Sequence, residues 1–222
     1  MTKGWRIALF VLVCTCLVHA AHGQDAISIE DLKNRSDGGD KAATRALAEA
    51  YYLGRRGVEQ DFQAAAHWYR RLATQGDARA QTSLGLMYAR GLGFDKNLAE
   101  ARRWWSLAAA QNDPGAQHNL GVVYLEGQGV ASDPAQALHW FRRAAERGHV
   151  LSQRMLGLML YDGEGTQPDR LMGLTWLTIA AQNGEEGAEN TLKLLAEKVS
   201  REQMDQARKR ATEWLKKNAA TR

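Results

Sequence analysis

The side chains of this chain that could do chemistry are few, and their spacing suits recognition better than catalysis. Of the six histidines, His19 and His22 lie near the N-terminus. His67 and His139 are 72 residues apart, and each directly precedes a tryptophan. His118 and His149 lack the partner at i+3 or i+4 that would suggest a helical metal pair. There is no HExxH, no GxSxG, no phosphate loop, no Ser-x-x-Lys and no Lys-Thr-Gly. No catalytic residue, metal ligand set or cofactor is therefore expected. What remains are hydrogen-bond donors: Arg45, Arg79, Arg90, Arg154 and Asn119, whose paired N–H groups match carboxylates. Whether they share a surface depends on the elements that carry them.

Both cysteines, Cys14 and Cys16, fall in an N-terminal stretch that reads as a secretory signal. Lys3 and Arg6 give a positive start, Ile7 to Val18 form an apolar run, and Ala21-His22-Gly23 supplies small residues for a peptidase. Cleavage is expected after Gly23, or after Ala20. The alternative is an uncleaved anchor, but the run is shorter than the roughly 20 residues a bilayer span needs. The mature chain then has no cysteine, which excludes disulfides and thiol chemistry. It is expected in the periplasm or secreted, with no stable membrane anchor. Its charge beyond Gly23 is 27 basic against 25 acidic residues, or +2. That balance lacks the dominant basic face of a nucleic-acid binder.

The positioning elements repeat. Trp68, Trp104, Trp140 and Trp176 are each 36 residues apart, as are Gly57, Gly93, Gly129 and Gly165. Gly76, Asn112, Gly148 and Gly184 keep the same interval, and so do Leu84-Gly85, Leu120-Gly121 and Leu156-Gly157. Leu47-Ala48 is the first unit's version, displaced by one residue through Arg55-Arg56.

Each unit spells two helices. In the second, Asp77 can cap a helix whose Ala80, Leu84 and Tyr88 form an apolar face, and Gly91 and Gly93 end it. Asn97 with Glu100 starts the next helix, Ala101, Trp104, Leu107 and Ala108 form its buried stripe, and Asn112 closes it. The third unit uses Asp113-Pro114 and Asp133-Pro134, with proline at the first helical position. Gly85 and Gly121 sit inside a helix at a cost of about 1 kcal/mol each, a sign that two helices approach closely there. The repeat tryptophans are expected in the core, and Trp140→Ala is expected to cost roughly 3–5 kcal/mol. Trp105 has no tryptophan at its repeat positions and lies one step round from Trp104, which makes it the candidate exposed aromatic; His67, Arg103 and His139 also flank the Trp column.

The pattern Ala80-x3-Leu84-Gly85-x2-Tyr88-x2-Gly91-x-Gly93, Ala101-x2-Trp104, Ala108-Ala109 resembles the Sel-one-like repeat, a relative of the tetratricopeptide repeat. The third unit matches at Ala116, Leu120-Gly121, Tyr124, Gly127, Gly129, Ala137, Trp140 and Ala144-Ala145. The first unit departs at Ala48, and the fourth at Ser152, Leu160 and Gly173. The resemblance implies an all-α, right-handed solenoid of antiparallel helix pairs, about eleven helices in all. Its units are residues 40–76, 77–112, 113–148 and 149–184. Residues 24–39 form a linker and short leading helix capped at Ser28. Residues 185–222 form a half repeat followed by a capping helix from Ser200.

In such arrays the first helix of each pair lines the concave surface. The resemblance places Arg45, Arg79, Thr82, Ser83, Arg90, His118, Asn119 and Arg154 there, as a groove for an acidic or C-terminal peptide segment. The expected function is a monomeric protein-interaction scaffold with another protein as partner and no nucleic acid. Two other readings are a cell-wall or glycan-binding module using Trp105 and, further off, a hydrolase of cell-wall or β-lactam substrates.

Overall fold

A computed structural model describes residues 27–219. The expected signal, its cleavage positions and both cysteines lie outside them. The described residues form eleven α-helices and no strand: α1 (Ile29–Asp37), α2 (Lys41–Leu53), α3 (Phe62–Thr74), α4 (Ala78–Arg90), α5 (Leu98–Ala110), α6 (Pro114–Glu126), α7 (Pro134–Glu146), α8 (Val150–Asp162), α9 (Arg170–Gln182), α10 (Glu186–Leu195) and α11 (Arg201–Ala219).

Local chemistry sets the boundaries. The first helices α2, α4, α6 and α8 begin at Asp40, Asp77, Asp113 and His149, whose side chains accept backbone N–H groups of the first turn. They end at Gly54, Gly91, Gly127 and Gly163, all in left-handed conformation with φ of 63–78°. The second helices α3, α5, α7 and α9 start at Asp61, Asn97, Asp133 and Asp169. Asn112 holds φ 67° where the other units use glycine, consistent with asparagine's tolerance of that region.

Each first helix packs on its own second helix, and each second helix packs on the next first helix. The result is an α-solenoid whose core is a chain of clusters rather than one centre. Inside each pair the helices nearly touch. A Cβ on Gly85 would lie 2.5 Å from Trp105 Nε1, and one on Gly121 would lie 2.6 Å from Phe141 Cε1. The interior glycines therefore make room for the side chain opposite.

That side chain corrects two expectations. Trp105 is 4% exposed, not a surface aromatic. It sits in a column with Tyr69, Phe141 and Leu177, all buried, and its Nε1 donates to the Thr82 carbonyl at 3.1 Å. The repeat-tryptophan column is the more peripheral one. Trp104 and Trp176 are buried, but Trp68 and Trp140 are half-buried.

Both ends are capped by polar-faced helices, α1 of 9 residues and α11 of 19. Ser28 Oγ accepts from the Asp31 N–H at the start of α1. Ser200 and Gln203 form a reciprocal capping box at α11, each side chain bonding the other's backbone N–H at 3.0–3.2 Å. α11 packs chiefly on α9, as α10 does, and Leu192 and Leu195 of α10 pack against the cluster of Leu174, Met204 and Ala207. Among the described residues no helix is long and apolar enough to cross a membrane.

Candidate functional site

The first helices carry two distinct rows of polar residues. One row joins consecutive units. Arg45 Nη2 contacts the carboxylate of Asp77 at 2.5 Å, while the other oxygen of Asp77 caps α4. Thr82 Oγ1 contacts Asp113 at 2.9 Å, on the oxygen that caps α6. Arg154 Nε lies 3.3 Å from Glu185, the cap of α10, but without hydrogen-bond alignment. At every step a residue in the second turn of one first helix holds the capping residue of the next. Four expected groove residues, Arg45, Thr82, His118 and Arg154, therefore serve these joints.

The joint between the third and fourth units uses histidines. His118 and His149 have ring centroids 4.5 Å apart. Both Nδ1 atoms reach Ser152 Oγ, at 2.8 and 3.0 Å, and Ser152 is fully buried. His149 Nδ1 also accepts the Ser152 backbone N–H at 3.3 Å, as the cap of α8. An accepting nitrogen carries no proton, so the order is His118 Nδ1–H to Ser152 Oγ–H to His149 Nδ1. Burial pushes the His118 pKa down to about 4, helped by His149 and Arg154. Burial also lowers His149, against the pull of Asp113. A buried serine between two neutral imidazoles resembles the parts of a nucleophilic site, but no substrate can reach its hydroxyl.

The second row faces outward. On α4 it comprises Arg79, Ser83, Leu86 and Arg90, spaced i, i+4, i+7 and i+11, opposite the face that buries Gln81. Arg79 and Arg90 are exposed, with no ion pair or hydrogen bond among the described residues. Ser83 instead lies against the phenol of Tyr69, whose pKa burial pushes up to about 12. Asn119 continues the row on α6, and on α8 the row turns apolar, with Leu151 47% exposed beside Met155 and Leu158. The eight groove residues thus divide into two rows, and among the described residues Arg79, Arg90 and Asn119 keep free donors.

Sequence reasoning missed the His118–His149 joint because it sought partners one helical turn away. The signal was the recurring step from Arg45 to Asp77 and from Thr82 to Asp113, which carried forward pairs His118 with His149.

The fold and its joints define a helical-hairpin repeat protein. The Sel1 repeat matches at residues 41–77, 78–113, 114–149 and 150–185, more than half of the chain, and the chain belongs to the Sel1 repeat family. It is similar to c5321, a protective antigen of uropathogenic Escherichia coli strains with an SLR fold, at 32% identity and a TM-score of 0.78 over 85% of this chain and 40% of that one. It is also similar to a Sel1 repeat protein from Oxalobacter formigenes, at 28% identity and a TM-score of 0.73, covering 87% of this chain and 78% of the other. Among curated proteins it resembles HRD3A of Arabidopsis thaliana, an ERAD-associated E3 ubiquitin-protein ligase component, at 30% identity over 73 residues. That match spans 33% of this chain and 11% of the plant protein.

Proposed function

We propose that this chain is an exported, monomeric interaction scaffold that holds a partner protein on the outward row of its first helices. The observation that carries the reading is the pairing on that row of two unengaged arginines, Arg79 and Arg90, with an exposed apolar stretch at Leu151. A folded surface that presents free guanidinium groups beside uncovered leucine suits a partner segment with carboxylates at one end and apolar side chains at the other. Membership of the Sel1 repeat family over four units supports a role as an interaction scaffold. Export is supported by Lys3, Arg6, the apolar run that follows and the small residues at Ala21 and Gly23. With Trp105 buried, the glycan-binding reading loses the residue it rested on.

The test is site-specific photocrosslinking in cells that make the protein. A crosslinker at Ser83 should give a discrete adduct in the envelope or secreted fraction, and Arg79→Glu with Arg90→Glu should abolish it. A crosslinker on the second-helix face at Ser106 serves as control. Equal adducts from both faces, or an adduct indifferent to the double variant, would sink the reading.

A further inference from the structure

The second helices present a column of tryptophans, and the fourth unit treats it differently from the others. In the first three units an arginine lies over the indole: Arg71 on Trp68 at 5.7 Å, Arg103 on Trp104 at 5.3 Å, and Arg143 on Trp140 at 5.0 Å. Those arginines stand one residue before or three after the tryptophan. In the fourth unit the same two positions are Thr175 and Ile179, and Trp176 meets Trp214 of α11 edge-on at 5.1 Å instead.

The two helices do not close completely. Between them lies a groove of about 310 Å³, floored by Met172, Trp176, Ile179 and Trp214. Its rim is Arg210, Glu213 and Lys217, spaced along α11 in register with the floor. Arg210 and Lys217 are exposed and form no ion pair or hydrogen bond among the described residues. They stand two helical turns apart, about 10 Å along the axis. From Arg208 onward α11 carries five cations, Arg208, Lys209, Arg210, Lys216 and Lys217, against one anion, Glu213.

We propose that this groove docks an acidic peptide segment, which seats one large apolar side chain between Trp176 and Trp214 and sets carboxylates on Arg210 and Lys217. The argument is charge complementarity around a cavity of one or two side chains. The floor is two indoles, one thioether and Ile179, a surface that takes a large apolar anchor. The cations at its rim are free, and their separation fits carboxylates about three residues apart on an extended chain. A bilayer fits less well, because the rest of the exposed face of α11 is charged, including Glu202 and Asp205, and offers no apolar stripe to bury. The site is on the second-helix side and does not depend on the first-helix row.

The test uses the purified full chain and a fluorescein-labelled hexapeptide, DDLFED, followed by anisotropy at low salt. Saturable binding is expected, weakened about tenfold by Arg210→Glu with Lys217→Glu, the scale of two partly exposed ion pairs. The same probe with Ser-Ser in place of Leu-Phe should bind no better than background, and Arg79→Glu with Arg90→Glu should leave binding unchanged. Because Arg210 and Lys217 are exposed, the charge-reversed chain should melt as the parent does; should it melt lower, Arg210→Gln with Lys217→Gln replaces it. Equal binding to the charge variant or equal binding of the Ser-Ser probe would overturn the proposal. So would binding to phosphatidylglycerol vesicles with none to the peptide.

Discussion

The seam inside each helix pair and the joint between successive first helices follow opposite rules. The seam keeps one solution throughout: a small residue, Ala48, Gly85, Gly121 or Gly157, faces a large buried one, Tyr69, Trp105, Phe141 or Leu177. The joint changes chemistry at nearly every step, from Arg–Asp to Thr–Asp to His–Ser–His to Arg–Glu. Dry packing answers to volume, so a seam tolerates exchange of one large group for another but not a void. A half-exposed polar contact contributes little net free energy whichever groups make it, so its chemistry is free to vary. The seam therefore sets the fold, while the joints differ from one unit to the next.

The largest expected effect tests the seam. Phe141 is fully buried against Gly121. Phe141→Ala should cost roughly 3–5 kcal/mol in denaturant unfolding. Trp140→Ala should cost clearly less, because its indole is half-buried and partly covered by Arg143 rather than by core. A Trp140→Ala loss equal to or above that of Phe141→Ala would return the tryptophan column to the centre of the fold.

The contrast also explains what the sequence made legible. The period, the Asp and Asn caps and the left-handed glycines are written residue by residue, because each answers a local backbone demand. The load of the seam was harder to read, because positions 69, 105, 141 and 177 share only a large buried side chain, not one residue identity. Trp is identical at four positions, and the core assignment it suggested holds for Trp104 and Trp176 but only in part for Trp68 and Trp140. The joints need an intermediate superhelical step that no single helix encodes, so His118 and His149 looked isolated. The end of the array is similar: the apolar face of α11 was evident from Met204, Ala207, Ala211 and Trp214, but not that it would pack on α9, as α10 also does.

The next effect sharpens the comparison at one joint. Both histidines have folded pKa values below the ordinary 6.5, His118 at about 4. As pH falls, the unfolded chain binds protons first, so this joint's contribution is complete above about pH 6.5 and declines toward pH 4. For His118 the loss reaches about 3 kcal/mol as an upper bound. Protonating His149 would also remove the acceptor that caps α8. Facing the pair are Asp113, which draws the proton onto His149, and Arg154, which repels it from His118. His118→Thr with His149→Asp copies the Thr82–Asp113 joint and should flatten the stability profile between pH 6.5 and 4. The check is urea unfolding of both proteins across that range; parallel profiles would mean the histidines do not titrate with unfolding.

The smallest effect concerns one unsatisfied atom beside the same units. Gln81, Gln117 and Gln153 are buried at equivalent positions, and each donates its amide N–H to the end of the preceding second helix, at Ala73, Ala109 and Ala145. Gln81 Oε1 then accepts from Gln111, and Gln153 Oε1 from Asn183, both at 2.9 Å. The corresponding residue in the third unit is Arg147, which turns outward to Asn112 Oδ1 at 2.7 Å and leaves Gln117 Oε1 buried without a partner. An unpaired buried acceptor costs about 1–3 kcal/mol, whereas an exposed arginine–amide contact is worth less. Arg147→Gln should therefore raise stability by about 0.5–1 kcal/mol, read as a higher urea midpoint with unchanged slope. Arg147→Met, similar in length but without an amide, should give no gain. A rise with both would point to relief of the Arg147 charge. A fall with Gln would mean that the Asn112 contact outweighs the orphaned oxygen, making this joint an exception to the rule that polar contacts between units are nearly interchangeable.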